Sequence, residues 1–229
     1  MDRGQFRGVK KESREMSGEY YVPMYLTGAL IGAVCALAAI LLSLGALQKR
    51  GRKLIARLMK AKWFLSVKTT AVLLFGLATG CYGLWAYGSL SFEYARFMML
   101  VTCLFSAALT DLRHRQIHMD SMLAFAVVGI LHRLMFGGIL GLTTGLTGAL
   151  AGAGILGIPY LLRKDSVGAG DILLLAVAGI YIGAMAVIVL LVRALLILSA
   201  VCIIQLLRKK VTRSSEMPLA PFLLLGALL

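Results

Sequence analysis

Long apolar runs alternate with short polar stretches along most of the chain. Residues 1–19 are polar and mixed in charge. A first apolar run covers 21–47, and the basic stretch "QKRGRKLIARLMKAK" (48–62) closes it. A second run covers 63–88, a polar break 89–96, and a third run 97–110, which stops at Asp111. The charged stretch "DLRHRQIHMD" (111–120) precedes a fourth run at 121–136 and a fifth at 139–162, divided by Gly137 and Gly138. "RKDSVGAG" (163–170) follows. A sixth run starts at Asp171 and weakens near Gly183, and a seventh extends to Leu207. The polar segment 208–216 and a short apolar segment 218–229 complete the chain.

A bilayer core is about 30 Å thick and needs about 20 mostly apolar residues per helical crossing. The pattern predicts an all-α polytopic membrane protein with about eight transmembrane helices. The first run begins near Tyr21 and is long enough to span, so it reads as a retained anchor and not a cleaved signal. Glycine recurs four residues apart in the fifth run, at Gly137, Gly141 and Gly145 and again at Gly148 and Gly152. Small residues at that spacing let two helices approach closely in lipid. The fifth run is therefore a packing helix.

Composition agrees with the pattern. Of the 229 residues, 60% are hydrophobic, which is too apolar for a soluble domain of this size. The net charge of +14 sits in short basic segments flanking apolar runs. That placement favours membrane loops facing anionic lipid of the inner leaflet, and it argues against nucleic acid as a partner. With 48–62 cytoplasmic, alternation puts 111–120, 163–170 and 208–216 on the same side. These four segments carry fifteen Lys or Arg, against seven in the N-terminal tail, Arg96 and Arg133 on the other side. The positive-inside rule then places both aspartate-bearing loops in the cytoplasm.

Cys35, Cys81, Cys103 and Cys202 each lie alone inside an apolar run, with no CxxC pair. No zinc site or disulfide framework is expected, and neither metal nor cofactor is. Asp111 ends the third run and Asp171 starts the sixth. Ionisable groups at membrane depth are rare and suggest function. Taken singly, Asp171 reads as an N-cap after a glycine turn and Asp111 as a polar helix end. Brought together, two carboxylates can share one proton, one acting as general base on water and the other as general acid. Gly168 and Gly170 suit a flexible loop beside them.

The two aspartate loops together resemble the type IV prepilin peptidases, membrane aspartic proteases of the GxGD type. "DLRHRQIH" keeps Asp111, Arg113 and Ile117 in register with the family's first motif. Gly168-Ala169-Gly170-Asp171 supplies the Gly-x-Gly-Asp motif, and "PLAPFLLLGAL" (218–228) is similar to the family's closing segment. His118 stands where the family usually has proline, Met119 where Asn or Asp is common, and Leu173 where lysine is frequent. Loop 48–62 lacks the tetracysteine module of the bifunctional members, so the compact Tad-type peptidases are the closer likeness. The resemblance implies a GxGD protease fold and a catalytic membrane domain at 97–229. Ahead of it stand N-terminal helices at 20–96 and a polar tail at 1–19. It implies catalysis by Asp111 and Asp171, an active-site loop at Gly168 and Gly170, and substrate contacts from Arg113, His118, Asp120 and Asp165. The implied substrate is a prepilin or pseudopilin, cut at the cytoplasmic face of the bacterial inner membrane; without the tetracysteine module, N-methylation of the product is not implied. A proton- or cation-coupled transporter and a non-catalytic part of pilus or secretion machinery remain alternatives from other classes. Arg193, inside the seventh run, is expected to be structural.

Overall fold

The computed structural model describes residues 27–38, 67–87, 91–114, 117–162, 168–208 and 218–229. The N-terminal tail and the basic loop 48–62 lie outside these. Seven helices, and no strand among the described residues, make up the fold: α1 Thr27–Ala38, α2 Val67–Tyr87, α3 Phe92–His114, α4 Met119–Leu162, α5 Ala169–Ile182, α6 Ala184–Leu207 and α7 Ala220–Leu228. Each predicted apolar run contributes helix, which supports a helical membrane protein. The described residues do not show eight crossings. Among them three segments, Phe92–Leu112, Met119–Leu162 and Ala184–Leu207, are long and apolar enough to cross a bilayer. At nine residues, α7 rises about 14 Å, roughly half the apolar core.

α4 is two helices joined at a kink. Its 44 residues would reach about 66 Å if straight, about twice the bilayer core. Gly138 breaks it with φ 57 and ψ −151, a conformation open essentially to glycine alone. The fourth and fifth runs thus form a hairpin, divided where Gly137-Gly138 predicted it. Both arms then pack on α5. A Cβ on Gly148 would overlap the Gly179 carbonyl, and one on Gly152 would overlap the Leu175 carbonyl. Close backbone approach replaces side-chain packing here, as the spacing of glycines in the fifth run anticipated. The same device joins α1 to α2, where Gly28 and Gly32 face Gly80 and Gly76.

At the other end of this contact, Arg133 ties the hairpin to α5. Its Nε donates to the Ile180 carbonyl at 2.9 Å and Nη2 to the Tyr181 carbonyl at 2.8 Å, while Nη1 donates to Thr144 Oγ1 at 3.1 Å. Gly183, at φ 87, interrupts the helical path between α5 and α6. The last carbonyls of α5 therefore lack part of their intrahelical pairing, and a guanidinium at that negative helix end satisfies them. In the sequence Arg133 figured as an outer-side charge; in the fold it caps a helix.

α3 runs through the centre. Tyr94, Phe97, Met98, Val101, Leu104 and Ala108 repeat at three- and four-residue steps and are buried. They meet Leu174, Leu175, Ala178 and Tyr181 of α5, Val187, Leu190 and Ala194 of α6, and Leu223 of α7. The outward faces of α4 and α6 leave Ile139, Leu150, Leu196 and Leu207 exposed. Apolar surface of that extent suits contact with lipid.

Because the α4–α5 contact is backbone on backbone, Gly148→Ala is expected to lower stability in detergent by about 1–3 kcal/mol. Gly154→Ala, on the same helix with open space around it, is expected to change it by less than about 0.5 kcal/mol. Thermal unfolding of the two variants checks this; equal effects would contradict the packing.

Candidate active site

The hairpin sets the geometry of the two aspartates. Chain leaving α3 near Asp111 travels out along the first arm of α4, turns at Gly138, and returns beside α5. Asp171 thereby comes to the same end of the bundle as Asp111, although sixty positions separate them. Ile117, just after α3, packs against Gly170, just before Asp171.

Asp111 lies in the last turn of α3, which continues to His114 beyond the predicted end of the run. It is 7% exposed. Its Oδ2 accepts the Ala220 N–H at 3.2 Å. Ala220 is the first residue of α7, so this N–H is one of the donors a helix start leaves without an internal partner. The positive end of the α7 dipole points at the same carboxyl. The closing segment 218–228 therefore has a defined task at the site. The donor itself, a main-chain N–H, is invisible to a residue-type reading of the sequence.

Asp171 occupies the third position of α5. The N-cap is Gly168, with no side-chain capping bond, and the Gly168 carbonyl accepts the Asp171 N–H at 3.0 Å. Asp171 is thus not the N-cap that its place after a glycine turn allowed. The side chain is half-buried at the end of the bundle, outside the three segments long enough to span. Burial, and after it the negative charge of Asp111, push its carboxyl up to about 6.

Gly168 and Gly170 act by what they lack. Neither has a positive φ, so the conformational role predicted for them is not the one they fill. A Cβ on Gly168 would sit 3.2 Å from Asp171 Oδ2, crowding the carboxylate. A Cβ on Gly170 would sit 2.9 Å from Ile117 Cβ, pushing the two loops apart. Gly-x-Gly-Asp is a clearance motif here.

The other predicted site residues scatter. Asp120 is exposed in the first turn of α4. His118 precedes α4, and its Nδ1 is buried without a hydrogen-bond partner, so that atom does not face water. Arg113 lies on α3 one residue from its end. Asp165 lies outside the described residues. Arg193 is exposed on α6 and lines a cavity of about 490 Å³ with Tyr82, Tyr87, Phe97 and Leu229, apart from both aspartates. Among the described residues no group of three or more His, Cys, Asp or Glu side chains converges as metal ligands would.

Two buried or half-buried carboxyls thus lie at one end of a helical bundle, one accepting a main-chain N–H and the other pushed up to about 6 by burial and then by its neighbour's charge. Residues 98–204 match the type IV leader peptidase family. The match supports assigning the chain to that family, and protease chemistry in general follows. It covers just under half of the chain, includes both aspartates and stops short of α7. No curated protein and no solved structure matches.

The electrostatic account gives a direct expectation. Infrared titration should find the Asp171 carboxyl changing protonation near pH 6. In an Asp111→Asn protein the like charge is gone but the burial remains. The Asp171 midpoint is then expected to move down while staying above the usual carboxylate range. An unchanged midpoint would show that the two groups do not sense each other.

Proposed function

We propose that the chain is an aspartic endopeptidase that removes the short basic leader from prepilin- or pseudopilin-like substrates at the cytoplasmic face of the bacterial inner membrane. The observation that carries this reading is the meeting of Asp111 and Asp171 at one end of the bundle, with unequal environments. Asp111, receiving the Ala220 N–H, is the carboxylate and general base. Asp171, its carboxyl raised by burial and then by the charge of Asp111, carries the shared proton in the active form and is the general acid.

In this mechanism Asp111 takes a proton from water as the water oxygen attacks the scissile carbonyl carbon. Asp171 gives its proton to the carbonyl oxygen, leaving a neutral tetrahedral diol. The roles then reverse: Asp171 recovers a proton from a diol hydroxyl, and Asp111 delivers its proton to the departing nitrogen. The C–N bond breaks to give an acid and an amine, and both aspartates return to their starting states. The two share protons throughout, so they titrate as a unit.

A substrate of basic leader followed by apolar helix fits this position. Its leader stays in water and its helix in lipid, with the scissile bond at the boundary where both carboxyls lie. Arg113, His118, Asp120 and Asp165 are the groups proposed to contact the unwound stretch.

Co-expression with a membrane protein of that design tests the reading. The intact chain is expected to convert the substrate to a product shorter by its leader, seen on a gel and by mass. Persistence of full-length substrate, with both proteins inserted in the membrane, would overturn it.

A further inference from the structure

We propose that the pocket at the end of the bundle opposite the aspartates binds the phosphate of an anionic phospholipid. The pocket holds about 220 Å³ and is lined by Phe92, Glu93, Arg96, His132, Arg133 and Phe136. Arg96 stands in the first two turns of α3 and Asp111 in its last, about 22 Å apart at helical rise.

Three groups in this pocket call for an acceptor. Arg133 is 9% exposed, and its three hydrogen bonds go to two carbonyls and a hydroxyl. These occupy N–H groups but do not neutralise the charge. Nη1 and Nη2 each keep a second hydrogen. A buried cation without a counter-charge is costly. Arg96, half-buried, has no hydrogen bond or ion pair among the described residues, and it stands within electrostatic reach of both Arg133 and His132. His132 is 8% exposed, and neither ring nitrogen has a partner. A neutral imidazole still offers one N–H. Two guanidinium groups and an imidazole thus converge, with Glu93 exposed at the rim as the acidic member. A phosphate, with several strong acceptor oxygens and negative charge, meets all three donors at once.

The surroundings name the source of that phosphate. Phe92 and Phe136 stack at 4.1 Å between centroids and remain 61% and 51% exposed. Met135, Ile139 and Leu140 beside them are exposed and apolar. Tyr82, Trp85 and Tyr87 of α2 lie at the same end, with Tyr87 within electrostatic reach of Arg96 and Glu93. An aromatic belt of this kind marks the level of lipid headgroups. A lipid phosphate at this level would bring its acyl chains against the exposed apolar face, which a free phosphate cannot use.

Native mass spectrometry on the full chain in neutral detergent tests the site. Wild type is expected to retain phosphatidylglycerol in preference to phosphatidylcholine. Arg96→Gln and His132→Leu, on different helices, are each expected to weaken retention about tenfold, the loss of a charge-assisted hydrogen bond. Arg96→Lys should restore most of it. Equal retention by wild type and both variants, or no preference between the lipids, would overturn the proposal. Inorganic phosphate displacing phosphatidylglycerol at equal concentration would overturn the lipid as its source.

Discussion

The contact between the second arm of α4 and α5 fixes everything else. Gly148 and Gly179 lie so close that each occupies the space of the other's missing side chain. In lipid there is little hydrophobic drive to bring helices together, so close packing and hydrogen bonds must do it. Once that contact forms, the axial position of α5 is set, and with it the height of Asp171. Arg133 fixes the far end by capping the carbonyls of Ile180 and Tyr181. The hairpin turn at Gly138 returns the chain to the end it left. The meeting of two aspartates sixty positions apart follows from these three features.

At the site itself, small details of the backbone create the asymmetry that acid–base chemistry needs. The start of α7 supplies Asp111 with an N–H. Asp171 has the N-terminal turn of its own helix, a carboxylate neighbour and partial burial. Gly168 leaves room for its oxygen, and Gly170 leaves room for Ile117. Two chemically identical side chains are thereby made different. The opposite end of the bundle carries the reverse polarity: the buried Arg133 and the half-buried Arg96, with one exposed acid, Glu93, beside them. The bundle is thus polar at both ends, with carboxyls at one and guanidiniums at the other.

Much of this was legible in the sequence, and the reasons are particular. Periodic apolarity reports burial in lipid directly, so each run became helix. The break at Gly137-Gly138 was visible because paired glycines interrupt a hydrophobic stretch too long for one crossing. Spaced glycines in the fifth run signalled a close helix neighbour, although not which one; Gly28, Gly32, Gly76 and Gly80 carry the same signal and were passed over. Other features had no local signature. Ala220 donates through its main chain, which every residue but proline possesses. Arg133 looked like a topology charge because its partners are carbonyls 47 and 48 positions away. The glycines of Gly-x-Gly-Asp suggested unusual dihedrals, whereas their use is clearance, a property of neighbours that sequence spacing does not carry. Lengths were least readable: α3 extends past Asp111, α5 begins before Asp171, and α7 is too short to cross.

The central claim is that Asp111 and Asp171 act as one unit on a peptide bond. The most direct test compares the rate of leader cleavage by Asp111→Asn, Asp171→Asn and the double variant, all at equal membrane abundance. Each single change is expected to slow cleavage by about 10²–10⁴-fold or more, and the double variant to be no slower than the worse single. A single variant with near-normal turnover, or a double variant slowed by the product of the two effects, would contradict the account.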